Sequence, residues 1–148
     1  MKIRNLKLTD YEAVYALWCR SAGMGLNDVD DSREGIAKYL ARNPNTCFVA
    51  EAETDAGIVG AILSGHDGRR GFIYHTCVAP EMRRNGLGAQ LVTAALEALR
   101  TAGISKVALV IFGHNTSGNA FWERLGFTPR PDLTYRNRPL IALERIDT

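Results

Sequence analysis

Six residues, Arg83-Arg84-Asn85-Gly86-Leu87-Gly88, carry the sharpest chemical signal in this chain. They fall between a run of strand type and a long run of helical type. Glycines at such a junction let the backbone approach a ligand closely. The first N–H groups of the helix, which have no partner within it, then point at an anion with help from the helix dipole. Arg83 and Arg84 add positive charge. This is chemistry for a phosphate or a pyrophosphate. No Gly-Lys-Ser/Thr follows, so the loop is not a P-loop. Leu91 stands where a dinucleotide fingerprint has its third glycine, and the motif does not follow the first strand. Standing alone, the loop could also be a glycine-rich helix start that binds nothing.

The elements that must position this loop follow from periodicity and punctuation. Ile3 to Leu8 alternates roughly and predicts a half-buried strand. Thr9 and Asp10 are N-cap types, and Thr9 with Glu12 makes a capping box. A helix follows, with Val14, Leu17 and Trp18 on one face, ending near Gly23. Gly23 to Ser32 reads as a loop. Ser32 or Asp31 caps a second helix with Ile36, Tyr39 and Leu40 inward, stopped by Asn43-Pro44-Asn45. Three strands in hairpin order come next, over residues 46–53, 57–66 and 71–79, with Asp67-Gly68 as a turn signal. Residues 86–102 form the longest helix, with Leu87, Leu91, Ala95 and Leu99 as its buried stripe and Gly103 closing it. A buried-type strand over 107–112 and a short helix over 116–125 follow. Late strands at 127–130 and 139–146 are split by a polar loop. The order βααβββαβαββ predicts an α/β (mixed α+β) fold: one mixed, mostly antiparallel sheet with helices on both faces.

Composition bounds the rest. At 148 residues the chain fits a single domain, 1–148, and at 46% hydrophobic and 23% charged it is ordinary globular material. A net charge of +2, not gathered into one block, is too small to predict nucleic-acid binding. Cys19, Cys47 and Cys77 are odd in number with no close pair, so neither a disulfide framework nor a cysteine metal cluster is expected. Each sits among apolar neighbours and is read as a small core residue. No run has signal-peptide or membrane-spanning character. The expectation is a cytoplasmic protein with no membrane partner and no metal.

Two motifs in register sharpen the loop. Val78-Ala79-Pro80-Glu81-Met82-Arg83-Arg84-Asn85-Gly86-Leu87-Gly88 resembles the V-x-P-x-x-R/Q-x-x-G-x-G/A motif of the GNAT N-acetyltransferase superfamily. Asn115 through Gly126-Phe127 is similar to its second motif, which runs from Asn through a Tyr to Gly-Phe. Spacing and element order agree across nearly the whole chain. The resemblance implies a GNAT-like fold and acetyl-coenzyme A as cosubstrate. It implies that the backbone from Arg84 through Asn85, Gly86, Leu87 and Gly88 to Ala89 holds the pyrophosphate. Thr76, Cys77 and Val78 would lie along the pantetheine arm, in a gap where this strand splays from the next. An N–H of Cys77 or Val78 would polarise the thioester carbonyl. Asn115 would bond the arm from the other side, or cap its helix.

One position departs from the family. Many members place a Tyr where Trp122 stands, and that Tyr protonates the leaving thiolate. An indole N–H cannot act as an acid near neutral pH. Tyr135 could approach the sulfur instead, water or the substrate ammonium could supply the proton, or the enzyme is weak or altered. Water or the ammonium is the favoured route. For the general base, His75 has a suitable intrinsic pKa, and Tyr74 could order a water chain. Strand alternation predicts that only one of these neighbours faces the site. His66 and His114 are read as surface residues at strand ends.

The acceptor site is expected between the loops 23–32 and 131–139. Asp28, Asp30 and Asp31 would attract a cationic amine, whereas Arg130, Arg136 and Arg138 would favour an anionic group. The leading reading is acetyl transfer to a primary amine, on a small molecule or a peptide, by direct attack in a ternary complex. The chain would be a monomer or homodimer. Bulk near Phe112 or Trp122 disfavours longer acyl chains. The competing reading is a coenzyme-binding regulatory or partner module with degenerate catalysis, which the Trp122 departure supports.

Overall fold

The structure, a computed structural model, describes residues 1–146. Five strands form the main sheet in the order β1-β3-β4-β5-β6: β1 is Lys2–Asn5, β3 Phe48–Glu51, β4 Ile58–His66, β5 Gly71–Val78 and β6 Val107–Leu109. All neighbours run antiparallel except β5 and β6, which are parallel. The mixed, mostly antiparallel sheet is the expected one. β4 is central and covered on both faces, which is why Val59 to Gly65 reads as a continuous small and apolar run rather than an alternating one.

The faces of the sheet are covered by different helices. Helices α1 (Tyr11–Cys19) and α2 (Arg33–Arg42) lie on one face, where Gly65 of β4 meets Tyr39 and Asn43. Helix α3 (Leu87–Thr101) lies on the other, where Gly60 meets Leu91 and Gly71 meets Leu99. The predicted stripe Leu87, Leu91, Ala95 and Leu99 is buried, as are Val14, Leu17 and Trp18 of α1. Helix α4 (Thr116–Arg124) completes the helices.

Several local expectations fail for identifiable reasons. The Thr9–Glu12 box does not form. The Asp10 carboxylate instead accepts the Lys7 N–H at 2.9 Å and is gripped by Arg4, while Glu12 pairs with Arg33. Ser32, not Asp31, caps α2, accepting from the Gly35 N–H at 3.0 Å. Cys47 and Cys77 are buried, but Cys19 is exposed, because one step round α1 beyond the fully buried Trp18 turns it off the core face. The loop 23–32 contains a two-residue strand, β2 (Leu26–Asn27), which pairs with β7 (Arg145–Ile146) in a separate small sheet.

The late strands are the largest correction. Residues 127–130 form no strand: Phe127 packs on Trp122, with ring centroids 5.1 Å apart, and Pro129 and Pro131 withhold the N–H groups a ladder needs. Of residues 139–146, only Arg145 and Ile146 are paired. Residues 133–144 are exposed, with a bend at Leu140 and Ile141 and Leu140 at 92%.

The strand β5 carries a bulge. Ile62 and Ser64 of β4 oppose Thr76 and Ile73, so two steps on β4 meet three on β5. The extra residue falls at Tyr74–His75, and a bulge of this kind breaks alternation. Both side chains consequently reach the α1/α2 face. Tyr74 packs edge-on against Tyr39 of α2 with centroids 5.8 Å apart, and His75 against Trp18 of α1 at 4.9 Å.

The first turn of α2 fixes the acceptor-side loop. A Cβ on Gly35 would come within 2.4 Å of the carbonyl oxygens of Val29 and Asp30. Backbone cannot yield as a side chain can, so Gly35→Ala should destabilise the fold by about 1–3 kcal/mol. Urea denaturation should read this as a lower midpoint with an unchanged slope.

Candidate active site

The glycine loop has the backbone of a cradle that could hold an anion. A 3-10 turn over Pro80–Met82 ends β5, and Arg83 then turns extended. Arg84 adopts the left-handed conformation at φ +66° and Gly86 at φ +75°, immediately before α3 begins. Left-handed residues alternating with ordinary ones aim successive N–H groups into a common concavity. The first intrahelical bond is donated by Gln90 to Gly86 at 3.1 Å. Among the described residues, no N–H from Arg84 to Ala89 is spent on a protein acceptor. The Arg83 side chain is tied back to the Val78 carbonyl at 3.1 Å, which leaves the Arg84 side chain as the freer charge. Gly88 serves packing: a Cβ there would press on the Phe121 ring at 3.1 Å and lie 3.8 Å from Val78.

Next to the cradle the sheet opens. β5 and β6 pair over Gly71–Ile73 and Val107–Leu109 only, although β5 runs on to Val78. The Ala79 N–H is donated to Val59 at 2.8 Å, toward β4. Alternation spends Cys77 on the same side, opposite Ala61, and turns the main-chain groups of Thr76 and Val78 toward the open side. Of the two N–H groups expected there, Val78 faces the gap and Cys77 does not. The Cys77 thiol is 7% exposed and burial pushes it up to about 12, despite a hydrogen bond with Ser21. It is no thiolate at neutral pH.

His75 is half of a pair. Its Nε2 lies 2.6 Å from Asp31 Oδ1, and a contact this short requires a proton between the two atoms. The other carboxylate oxygen accepts the Asn27 N–H at 2.8 Å, and the Tyr11 hydroxyl donates to the Asp31 carbonyl at 2.7 Å. Asp31 is 4% exposed, so it belongs to the interior rather than to an acidic rim. Nδ1 of His75 is not among the buried unpartnered polar atoms, which are Trp18 Nε1 and Tyr39 Oη. Tyr74 is 52% exposed. Burial raises its phenol pKa first, and the nearness of Tyr135 and Asp30 raises it further. Tyr135 is 65% exposed on its loop.

The second motif frames the opposite wall. Asn115 caps α4, its Oδ1 accepting the Gly118 N–H at 2.9 Å; its Nδ2 makes no bond among the described residues. Trp122 is only 9% exposed and sits edge-on between Phe121 and Phe127. Phe112 lies against Gly23 and Gly25 of the acceptor-side loop. Asp28 is tied to the Glu144 N–H, Asp30 takes the Asn27 amide, and Arg130 pairs with Asp132, so Arg136 and Arg138 remain the free cations of the second loop among the described residues. His114 is exposed and His66 partly so. Among the described residues no group of three or more His, Cys, Asp or Glu could hold a metal ion, and no helix is long and apolar enough to cross a membrane.

The sequence model of the acetyltransferase (GNAT) family matches residues 11–127. The chain belongs to this family. An acetyltransferase of Pectobacterium atrosepticum is 31% identical over 138 residues, covering 93% of this chain and 95% of that one. Among solved structures, Ard1 from Thermoplasma volcanium superposes with a TM-score of 0.74 at 23% identity, over 86% of this chain and 82% of that one. AAC(6')-Iy, bound to the bisubstrate analogue CoA-S-monomethyl-acetylneamine, gives a TM-score of 0.70 at 21% identity, over 93% and 98%.

Sequence reasoning named Asp31 in this GNAT acetyltransferase but missed its pairing with His75. Local signals made it a cap or a rim charge, and its partner is 44 residues away. The available signal was a lone His on a strand with three aspartates in the loop expected over it.

The cradle can be tested without touching a packed side chain. A Cβ at Gly86 would meet nothing within 4 Å, but an L-residue there pays about 1–2 kcal/mol for the left-handed backbone. Gly86→Ala should therefore distort the N–H array while α3 survives. Titration calorimetry should read a coenzyme A Kd at least about tenfold higher, a change of about 1.4 kcal/mol. An unchanged Kd would remove the loop from the binding site.

Proposed function

We infer that this chain moves an acetyl group from acetyl-coenzyme A to a primary amine by direct attack within a ternary complex. One observation carries the reading: six consecutive uncommitted N–H groups, Arg84 to Ala89, stand at a helix N-terminus beside the point where β5 and β6 part. A pyrophosphate fits such a cradle. A pantetheine arm, with its amides, fits an opened strand ladder that turns the main chain of Thr76 and the N–H of Val78 toward the gap. Asn115 Nδ2 faces the same task from α4. The fold shared with a protein bound to a coenzyme-containing bisubstrate analogue supports the assignment.

The roles follow from chemistry. The amine nitrogen bonds to the acetyl carbon, the carbon–sulfur bond breaks, and a proton passes from the ammonium side to the thiolate. Val78 N–H is the donor aimed at charge developing on the carbonyl oxygen. His75 takes the amine proton: Asp31 fixes Nε2 as the protonated nitrogen and leaves Nδ1 as the accepting one. Tyr74, on the same face through the bulge, orders water between His75 and the acceptor. Cys77, with its thiol held near 12, does not form an acyl-enzyme. Trp122 supplies no proton, so water or the substrate ammonium protonates the leaving thiolate. The acceptor is a small-molecule or peptide amine, drawn by Asp30 and flanked by Tyr74 and Tyr135.

The burial of Trp122, in place of a tyrosine hydroxyl, favours a second reading, a coenzyme-binding regulatory or partner module. Thiol release from acetyl-coenzyme A across a broad amine panel separates the two. Release with any amine supports the enzyme, and tight coenzyme binding with no release supports the module.

Two substitutions test the base. His75→Gln should remove the acid limb from the pH profile of kcat/KM and lower kcat by about 10²–10⁴. Asp31→Asn should leave coenzyme binding intact and lower kcat, since the histidine ring loses the carboxylate that orients it. An unchanged profile in His75→Gln passes the role to Tyr74 or water.

Tyr135→Phe tests the acid. A general acid contributes about 10²–10⁴ in rate, so a loss of only a few-fold in kcat is expected if water or the ammonium is the source. A loss of 10² or more, with coenzyme KM unchanged, would assign the proton to Tyr135 instead.

A further inference from the structure

Asp31 can orient His75 only if the chain carries it back over the sheet, and the residue that folds the chain there is Asn27. Asn27 ends β2, which pairs antiparallel with β7. Main-chain N–H groups alternate in direction along such a strand. The Asp28 N–H is donated to the Glu144 carbonyl at 3.0 Å, so the Asn27 N–H faces the other way. It is donated to Asp31 Oδ2 at 2.8 Å. A carboxylate four residues further on meets that N–H only if the chain between them doubles back.

The Asn27 side chain makes it double back. Its Oδ1 accepts the Val29 N–H at 3.0 Å and the Asp30 N–H at 2.7 Å, the bonding of an Asx turn. Its Nδ2 donates to Asp30 Oδ2 at 2.9 Å. Both ends of the amide are thus spent on the residues that lead to Asp31. The far end of the loop is fixed independently. The Ser32 hydroxyl donates to the Val29 carbonyl at 2.7 Å and accepts the Gly35 N–H. Residues 28–31 therefore hang between two anchors, one belonging to α2 and the other to Asn27.

We propose that Asn27 is a positioning residue for His75, acting through Asp31: its side chain folds residues 27–31 so that one carboxylate oxygen meets His75 Nε2 while the other rests on the Asn27 N–H. With both oxygens held, the carboxylate cannot rotate, and the imidazole is kept in one tautomer. The position needs an asparagine. An aspartate would accept the same two N–H groups but set like charge against Asp30. A serine would offer an acceptor without the donor for Asp30. A glutamine would carry its amide one methylene too far.

The role in catalysis rests on His75 acting as the base, but the first test does not. The proton held between His75 Nε2 and Asp31 should give a far-downfield line in the proton magnetic resonance spectrum of the full chain, assigned by its loss in His75→Gln. Asn27→Ala should keep the circular dichroism of the fold and lose or broaden that line. An intact line in Asn27→Ala overturns the proposal. Asn27→Asp alone should weaken the line, and adding Asp30→Asn, which exchanges the amide with the carboxylate, should bring it back. An exchange that does not restore the line overturns the proposal, even where Asn27→Ala fails to fold. Kinetics then separates the two claims. A displacement of about 1 Å at a reacting group can cost about 10²-fold, so kcat of Asn27→Ala should fall about 10- to 100-fold with the coenzyme KM unchanged. A lost line with an unchanged kcat would overturn the catalytic part alone, removing His75 from the reaction while Asn27 still positions the pair.

Discussion

β5 is paired along its length to β4 but to β6 over three residues only, and the rest of the structure depends on that asymmetry. A strand with one satisfied and one open edge keeps half of its main-chain donors and acceptors available inside a rigid sheet. Unpaired main-chain groups are costly when dry and have high affinity for any chain that can pair with them. β4 bears the mechanical work: it is buried on both faces and holds β5 in place while the other side stays open. Opening the ladder would be floppy without that backing.

The bulge in β5 multiplies the use of the same strand. An unbroken strand would send Tyr74 and His75 to opposite faces. The inserted residue turns both toward α1 and α2, where Trp18 and Tyr39 fix their rings. The loop before α2 then delivers Asp31 from above. Asp31 is held by the Asn27 N–H and by its own carbonyl's bond from Tyr11, so the carboxylate arrives with its geometry set by backbone rather than by chance packing. The close seat of Gly35 under Val29 and Asp30 anchors that loop to the helix it precedes.

What could be read from the sequence divides along physical lines. The α3 stripe, the α2 cap and the backbone turn at Arg84–Gly86 are local, each depending on residues within a turn or two: the stripe forms as expected, and of the two caps offered, Ser32 and Asp31, Ser32 takes the position. The bulge is not local, because one strand's inserted residue exists only relative to its partner. The Asp31–His75 pair is likewise set by tertiary folding and has no spacing to betray it. The strands expected near the end of the chain had the right composition at 139–146, but a strand needs an edge to pair with, and composition does not name the edge. Trp122 was read through a motif position. Its packing between Phe121 and Phe127 is decided by volume.

The anion cradle is made of N–H groups, and every residue except proline carries one. Side chains at Asn85 and Ala89 can therefore change without altering the N–H groups the loop presents, provided Arg84 and Gly86 keep their left-handed backbone and Leu87 its place in the core. The proposed acceptor side has the opposite character, since Asp30, Tyr74, Tyr135, Arg136 and Arg138 would act there through their side chains alone. The two halves of the site are thus exposed to mutation unequally. Under the proposed function, descendants of this chain would change what they acetylate one substitution at a time while the grip on the donor is inherited intact.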